Sequence, residues 1–223
     1  MFKDKKYTII RGAISQELAG FVYKYFLLKR DVARTLNNNR YISPFTDFFG
    51  VWNDEQVPNT YSHYSDIVME TLLLQLGDLM EEKTKLKLIP TYSYARIYKK
   101  GDVLKRHKDR PSCEISTTLN LGGDPWPIYL SPDENVGIPE LNGGVKGITT
   151  SSSAKGLKVD LEPGDMLVYS GCVLEHWRER FNGDNCGQVF LHYNNVATQG
   201  ENNKYDGRPH LGLPSDFKNH QKF

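Results

Sequence analysis

At Pro90 the hydrophobic pattern of this 223-residue chain changes period, and that change limits the folds open to it. Before it, apolar residues recur every three or four positions. Leu18, Phe21, Val22, Tyr25, Phe26 and Leu28 share a face over residues 15–36, behind a candidate N-cap at Ser15. Ile67, Val68, Leu72, Leu76, Leu79 and Met80 form a second stripe over 65–84, opened by Ser65 or Asp66. After Pro90 the segments are short, mostly rich in β-branched or aromatic residues, and bounded by Gly, Pro, Asp or Asn. They fall at 92–98, 113–121, 126–130, 156–160, 165–169 and 188–193. Helices followed by a run of short strands predict an α+β, mostly β chain whose core is a sandwich or small barrel. The expected form is one domain, a jelly roll with the helices buttressing one sheet.

Three regions follow: a helical support over 1–88, the jelly-roll core over 89–196 and a polar, extended tail over 197–223. Residues 37–60, with the aromatic stretch Tyr41 to Trp52, read as a loop. Residues 131–155, with Pro, Gly and Ser clusters, read as a long loop inserted in the β region.

Charge removes some functions. Lys+Arg is 28 and Asp+Glu 27, a net charge of +1, so nothing in the balance advertises a nucleic-acid or membrane partner. Cys113, Cys172 and Cys186 form no C-x-x-C pair and leave an odd thiol, which suits a reducing compartment. The N-terminus lacks the apolar stretch of a signal peptide, and no segment is apolar enough to span a membrane. The expectation is a soluble, cytoplasmic protein.

Of six histidines, only His107 has a carboxylate two residues away at a likely strand end, in His107-Lys108-Asp109. In an extended chain residues i and i+2 point to the same side, so imidazole and carboxylate could reach one ion. His176 is best placed to be the third ligand, because a turn, a hydrophobic strand and a second turn deliver it to the barrel mouth. Two His and one carboxylate on one triangular face leave three octahedral positions open, as non-haem Fe(II) requires. By itself the tripeptide reads more readily as a solvated turn; the flanking pattern changes that.

Tyr94-Ala-Arg-Ile-Tyr98, His107-Lys-Asp109, Ser116-Thr-Thr-Leu-Asn120, Pro163-Gly-Asp165, His176-Trp-Arg178 and Gln188-Val-Phe-Leu-His-Tyr193 occur in that order. Over residues 88–196 the sequence therefore resembles the 2-oxoglutarate/Fe(II) dioxygenases, most closely their prolyl 4-hydroxylase-like branch. The resemblance implies a double-stranded β-helix and a metal held by His107, Asp109 and His176. It implies Fe(II), 2-oxoglutarate and O₂ as cofactor and co-substrates, with ascorbate as an optional addition. It further implies hydroxylation of an unactivated C–H bond, most readily a prolyl residue of a peptide or protein, with release of succinate and CO₂. The distal carboxylate of 2-oxoglutarate would meet Tyr98 and Thr118 or its neighbours.

A buried carboxylate also needs a cation. Relatives carry one about ten residues after the distal His, where this chain has Asn185-Cys-Gly-Gln188. Arg178, on the same strand face as His176, is the expected substitute, ahead of Arg180, Arg96 and Arg110. The missing late-strand cation sustains an alternative, a non-catalytic jelly roll binding a metal, a ligand or a protein partner. A zinc hydrolase using the same three ligands is a third reading, without an evident general base. His192 reads as a packed core histidine, and His63, His210 and His220 as solvated. Trp177 reads as packing, Cys172 and Cys186 as ordinary thiols, and the 41–52 aromatics as a peptide groove or an apolar cap.

Overall fold

The computed structural model describes residues 2–139 and 147–218; the centre of the 131–155 insertion and His220 lie outside them. Along the chain run α1 (Phe2–Lys5), β1 (Tyr7–Ile10), α2 (Gln16–Asn38), β2 (Tyr61–Tyr64), α3 (Ile67–Gln75), α4 (Gly77–Thr84), β3 (Leu88–Lys99), β4 (Leu104–Asp109), β5 (Ile115–Gly123) and β6 (Ile128–Leu130). β7 (Ile138–Pro139), β8 (Gly147–Ser151), β9 (Leu157–Val159), β10 (Met166–Ser170), β11 (His176–Arg178), β12 (Asn185–Asn195) and α5 (Val196–Gln199) follow.

The strands form two antiparallel sheets, ordered β1-β10-β5-β12-β3-β2 and β7-β8-β4-β11-β6-β9. Consecutive strands β3, β4, β5 and β6 alternate between the sheets, which is how a jelly roll winds. The largest apolar cluster joins α2 and α3 to the outer face of the first sheet, through Val22, Phe26, Leu73, Ala95, Leu119 and Val189. Two smaller clusters bridge the sheets. One joins Tyr98 and Phe190 to Leu104; the other joins Leu167 and Tyr169 to Ile128, Leu130 and Val159. The mostly β chain with buttressing helices is thus as expected.

The differences have local causes. Ser15 caps α2 by accepting from the Leu18 N–H at 3.2 Å, but Phe21 and Leu28 are largely exposed. The buried face is the narrower Ala19, Val22, Phe26, Ala33 stripe. The helix expected over 65–84 is interrupted at Leu76 (φ −88°, ψ −2°), beside Gly77, a residue that disfavours helix interiors. β1 and β2 precede Pro90 yet join the first sheet as its two edges, too short for periodicity to reveal. The tail is not extended: α5 and short 3₁₀ turns at Lys204–Gly207 and Ser215–Phe217 fold it back on the molecule.

Candidate metal centre

Three ligand atoms converge where β4 meets β11. His107 and His176 are direct cross-strand partners, and their ring centroids lie 4.1 Å apart. Between these positions and the next matched pair, Arg178 with Leu104, the ladder slips by one residue. Such bulges re-aim side chains beside functional sites. Asp109, two residues beyond His107, shares its side of β4 and donates its backbone N–H to Gly171 O at 2.8 Å. Its Oδ1 lies 3.6 Å from His107 Nε2 and 3.4 Å from His176 Nε2. Ligands about 2.1 Å from one ion at right angles stand about 3 Å apart, so a small inward rotation closes the set.

The ring orientations suit a cation. His107 Nδ1 contacts Lys105 O at 2.8 Å and His176 Nδ1 contacts Leu174 O at 2.9 Å. A carbonyl accepts only, so each Nδ1 carries a proton and each Nε2 faces the common point, where a neutral ring offers its lone pair. Burial, with His176 alongside, pushes the His107 pKa down to about 4 and keeps the ring neutral. Burial alone would raise the Asp109 pKa, yet His176, as a cation hydrogen-bonded through Nε2–H, and the nearby His107 hold it well below the usual carboxylate range; a metal ion displacing that Nε2 proton would take over the charge. Neutral imidazoles and an ionised carboxylate are the ligand forms metals bind. His107, Asp109 and His176 are therefore brought together as the spacing predicted. A cavity of about 70 Å³ opens on them, walled also by Tyr92, Tyr94, Arg96, Leu104, Tyr169, Phe190 and His192.

The expected co-substrate residues meet one another but stand outside that cavity wall. Arg178 is fully buried. It donates from Nη2 to Thr118 Oγ1 at 3.1 Å, and from Nη1 to Trp126 O, while its Nε has no hydrogen-bond partner. Among the described residues no carboxylate pairs with it, and burial lowers its pKa. The ring of Tyr98 packs against Trp126 at 4.7 Å, and Trp126 also lies under the Arg178 guanidinium. Arg96, the arginine in the cavity wall, is already partnered. Its Nη2 donates to Asp54 at 2.6 Å and to Gln56 at 3.2 Å, and its Nη1 donates to Tyr98 Oη at 3.1 Å. That Asp54 and Gln56 reach in from the 37–60 loop was invisible to sequence, since no periodicity ties a loop to a strand. Arg180 and Arg110 hold no place in the cavity wall, and Arg110 is engaged by Asp206.

Other histidines divide. His192 is buried and hydrogen-bonded as expected, its pKa pushed down to about 4 by burial. His63 is buried rather than solvated, with Nδ1 3.1 Å from Asp66 Oδ2, because β2 carries it under the helix-capping carboxylate. Trp177 packs, stacked on Tyr129 at 5.6 Å and covered by Arg106 at 3.5 Å.

Strand order and cluster together define a double-stranded β-helix with a candidate two-His, one-carboxylate site at its mouth. No protein-family model and no curated protein sequence matches the chain. Solved structures do. HygX from Streptomyces hygroscopicus, with nickel and 2-oxoglutarate bound, is 15% identical with a TM-score of 0.60, over 97% of this chain and 91% of that one. The epimerase SnoN, in complex with Fe3+, alpha ketoglutarate and nogalamycin RO, is 12% identical with a TM-score of 0.60, over 87% and 81%. EctD from S. alaskensis, in its apoform, is 13% identical with a TM-score of 0.57, over 92% and 78%. At such identities the likeness shows a shared fold.

Proposed function

We propose that the chain is an Fe(II)- and 2-oxoglutarate-dependent oxygenase, with the metal on His107, Asp109 and His176 and the distal carboxylate of 2-oxoglutarate on Arg178, Thr118 and Tyr98. The observation that carries the reading is the convergence of two imidazole Nε2 atoms and one carboxylate oxygen on a cavity at the barrel mouth. Iron bound there would supply the redox chemistry by which O₂, 2-oxoglutarate and a substrate C–H bond give succinate, CO₂ and the hydroxylated substrate, one oxygen atom going to each organic product. The residues position that chemistry. His107 and His176 keep their Nε2 lone pairs aimed inward through the bonds at Nδ1, and Asp109 brings one negative charge. Arg178 supports the co-substrate role because a buried guanidinium without a carboxylate is costly, and a ligand carboxylate would relieve that cost. Tyr98 and Trp126 would have to shift to admit it.

For the substrate we propose a prolyl side chain in a peptide or protein, from the motif order over 88–196 and the loop aromatics. Tyr41, Phe45 and Phe48 are exposed, Phe45 lines a cleft with Pro44, His63 and Tyr94, and Tyr94 also borders the metal cavity. A second reading, a small-molecule substrate, is favoured by the fold neighbours that hold hygromycin B and nogalamycin RO. Three free thiols and the lack of any described helix long and apolar enough to cross a membrane accord with a cytoplasmic setting.

The test is anaerobic titration with Fe(II) and then 2-oxoglutarate, following the weak visible charge-transfer band of a metal–keto acid chelate. The band should need both components and vanish in His176→Ala. Arg178→Ala should raise the 2-oxoglutarate requirement about 10- to 100-fold, the worth of a charge-assisted hydrogen bond, with iron affinity unchanged. If Arg96→Ala does this and Arg178→Ala does not, the anchor is Arg96. No band from folded, iron-binding protein would favour the non-catalytic module.

A further inference from the structure

Asp109 offers two carboxylate oxygens, and they face different partners. Oδ1 faces the two Nε2 atoms. Oδ2 is 2.6 Å from Ser116 Oγ. That hydroxyl is also 3.0 Å from Cys113 O and 3.0 Å from His192 Nδ1. A hydroxyl has a single proton to give. The ionised carboxylate, the nearest and strongest acceptor, takes it. Cys113 O can only share that proton as the longer branch of a three-centre bond, so the contact with His192 is filled by a proton on Nδ1, donated to Ser116 Oγ. The hydrogen-bond count thus fixes the Nδ1–H form of the ring.

This arrangement is rigid on every side. Ser116 and His192 are register partners across β5 and β12. Across the other edge of β12, His192 is in register with Tyr92, whose ring lies 4.5 Å from the imidazole. Behind Oδ2 the chain has Gly171, and a Cβ there would sit 2.2 Å from Oδ2 and 2.5 Å from Ser116 Oγ. His192 also borders the metal cavity.

We propose that Ser116 and His192 are positioning residues for Asp109: by occupying Oδ2 they confine metal ligation to Oδ1. The coordination position that a chelating carboxylate would take then stays open for the co-substrate. The inference deepens the oxygenase reading and rests on its assignment of Asp109 as a ligand. Neither residue need touch the metal; each acts through the carboxylate.

Two readouts separate the relay from the oxygenase reading. The first is long-range ¹H–¹⁵N correlation of the histidine rings in metal-free protein, which requires no activity. His192 should appear with its proton on Nδ1 and lose that preference in Ser116→Ala; a proton on Nε2 alone in the wild type overturns the relay. The second is Co(II) binding, followed by visible absorption, with 2-oxoglutarate added afterwards. Ser116→Ala should keep Co(II) affinity within about twofold while its spectrum shifts to higher coordination, and 2-oxoglutarate should bind about tenfold more weakly, one lost hydrogen bond's worth. Ser116→Thr, which keeps the hydroxyl, should restore both. His192→Asn, which keeps a donor near Nδ1, should resemble the wild type, and His192→Phe should resemble Ser116→Ala. Spectra and 2-oxoglutarate affinity unchanged in both Ser116→Ala and His192→Phe would overturn the proposal. Wild-type protein that binds no Co(II) while His192 shows the Nδ1–H form would instead remove the metal assignment.

Discussion

At the scale of single residues the site is built from buried groups whose charge depends on their neighbours. Arg96 and Arg178 show it, since both guanidiniums are almost wholly removed from water. Asp54 neutralises Arg96; for Arg178 the polar partners are a carbonyl and a hydroxyl. Sequence nominated Arg178 by its strand face and kept Arg96 as a less favoured substitute, but could not show which would lack an acid, because Asp54 arrives from a loop. The histidines carry the pH dependence. His107 and His192 are pushed down to about 4 by burial, against about 6.5 for an unfolded chain. Between those values the unfolded chain binds more protons, so stability falls as pH is lowered from 6.5 to 4, by about 3 kcal/mol per ring. Urea unfolding of metal-free protein across that window should show the loss, and His192→Phe should remove about half of it. A flat profile would mean that neither ring is held neutral. Loss of the Asp109, Asp66 and Asp206 contributions belongs to still lower pH, because their partners hold those carboxyls well below the usual range.

At the scale of elements, β4 and β11 make the site, and the sequence showed only half of how. The i, i+2 spacing put His107 and Asp109 on one side, and the turn-strand-turn pattern pointed to His176. The register that sets His176 opposite His107, and the slip beside it, depend on pairing between strands far apart in sequence. Glu175 holds β11 from its other face. It is fully buried and accepts from Ser152 Oγ at 2.7 Å and Arg106 Nη1 at 3.1 Å, and from Thr150 Oγ1, tying the end of the insertion to both ligand-bearing strands. The turn after β10 closes the remaining side, and Gly171 there has no room for a methyl group. Gly171→Ala should therefore displace Asp109: metal affinity should fall at least about tenfold, and stability by about 1–3 kcal/mol, as for overpacked cores. Calorimetric metal titration beside a urea melt checks both. Unchanged metal binding would show that the turn, rather than the carboxylate, gives way.

At the scale of the whole molecule, the jelly roll was legible because its strands are short, β-rich and punctuated by turn residues, and the helical buttress because its stripes are long. The C-terminal segment was not, because what fastens it is polar. Arg208 is buried against Glu70 of α3, with Nη2 donating to Oε1 at 2.8 Å and to Thr91 O at 3.1 Å. Glu70 also accepts from the backbone N–H groups of Gly212 and Ser93. Nearby, Asp206 takes Arg110 in a two-pronged pair, 2.8 Å at each oxygen, along with the Tyr64 hydroxyl at 2.7 Å. Since Arg110 follows Asp109, this strap also braces the end of the ligand-bearing β4. Removing one partner of a buried pair leaves an uncompensated charge, whereas removing both with apolar substitutes need cost little. Arg208→Met alone should lose about 3–5 kcal/mol in urea unfolding, and Glu70→Leu with Arg208→Met should recover most of it. A small loss in the single variant would mean that the tail detaches and lets water reach Glu70, making the strap separable from the barrel. A large loss that the double variant does not repair would place the stability in the hydrogen bonds to Thr91, Ser93 and Gly212 rather than in the ion pair.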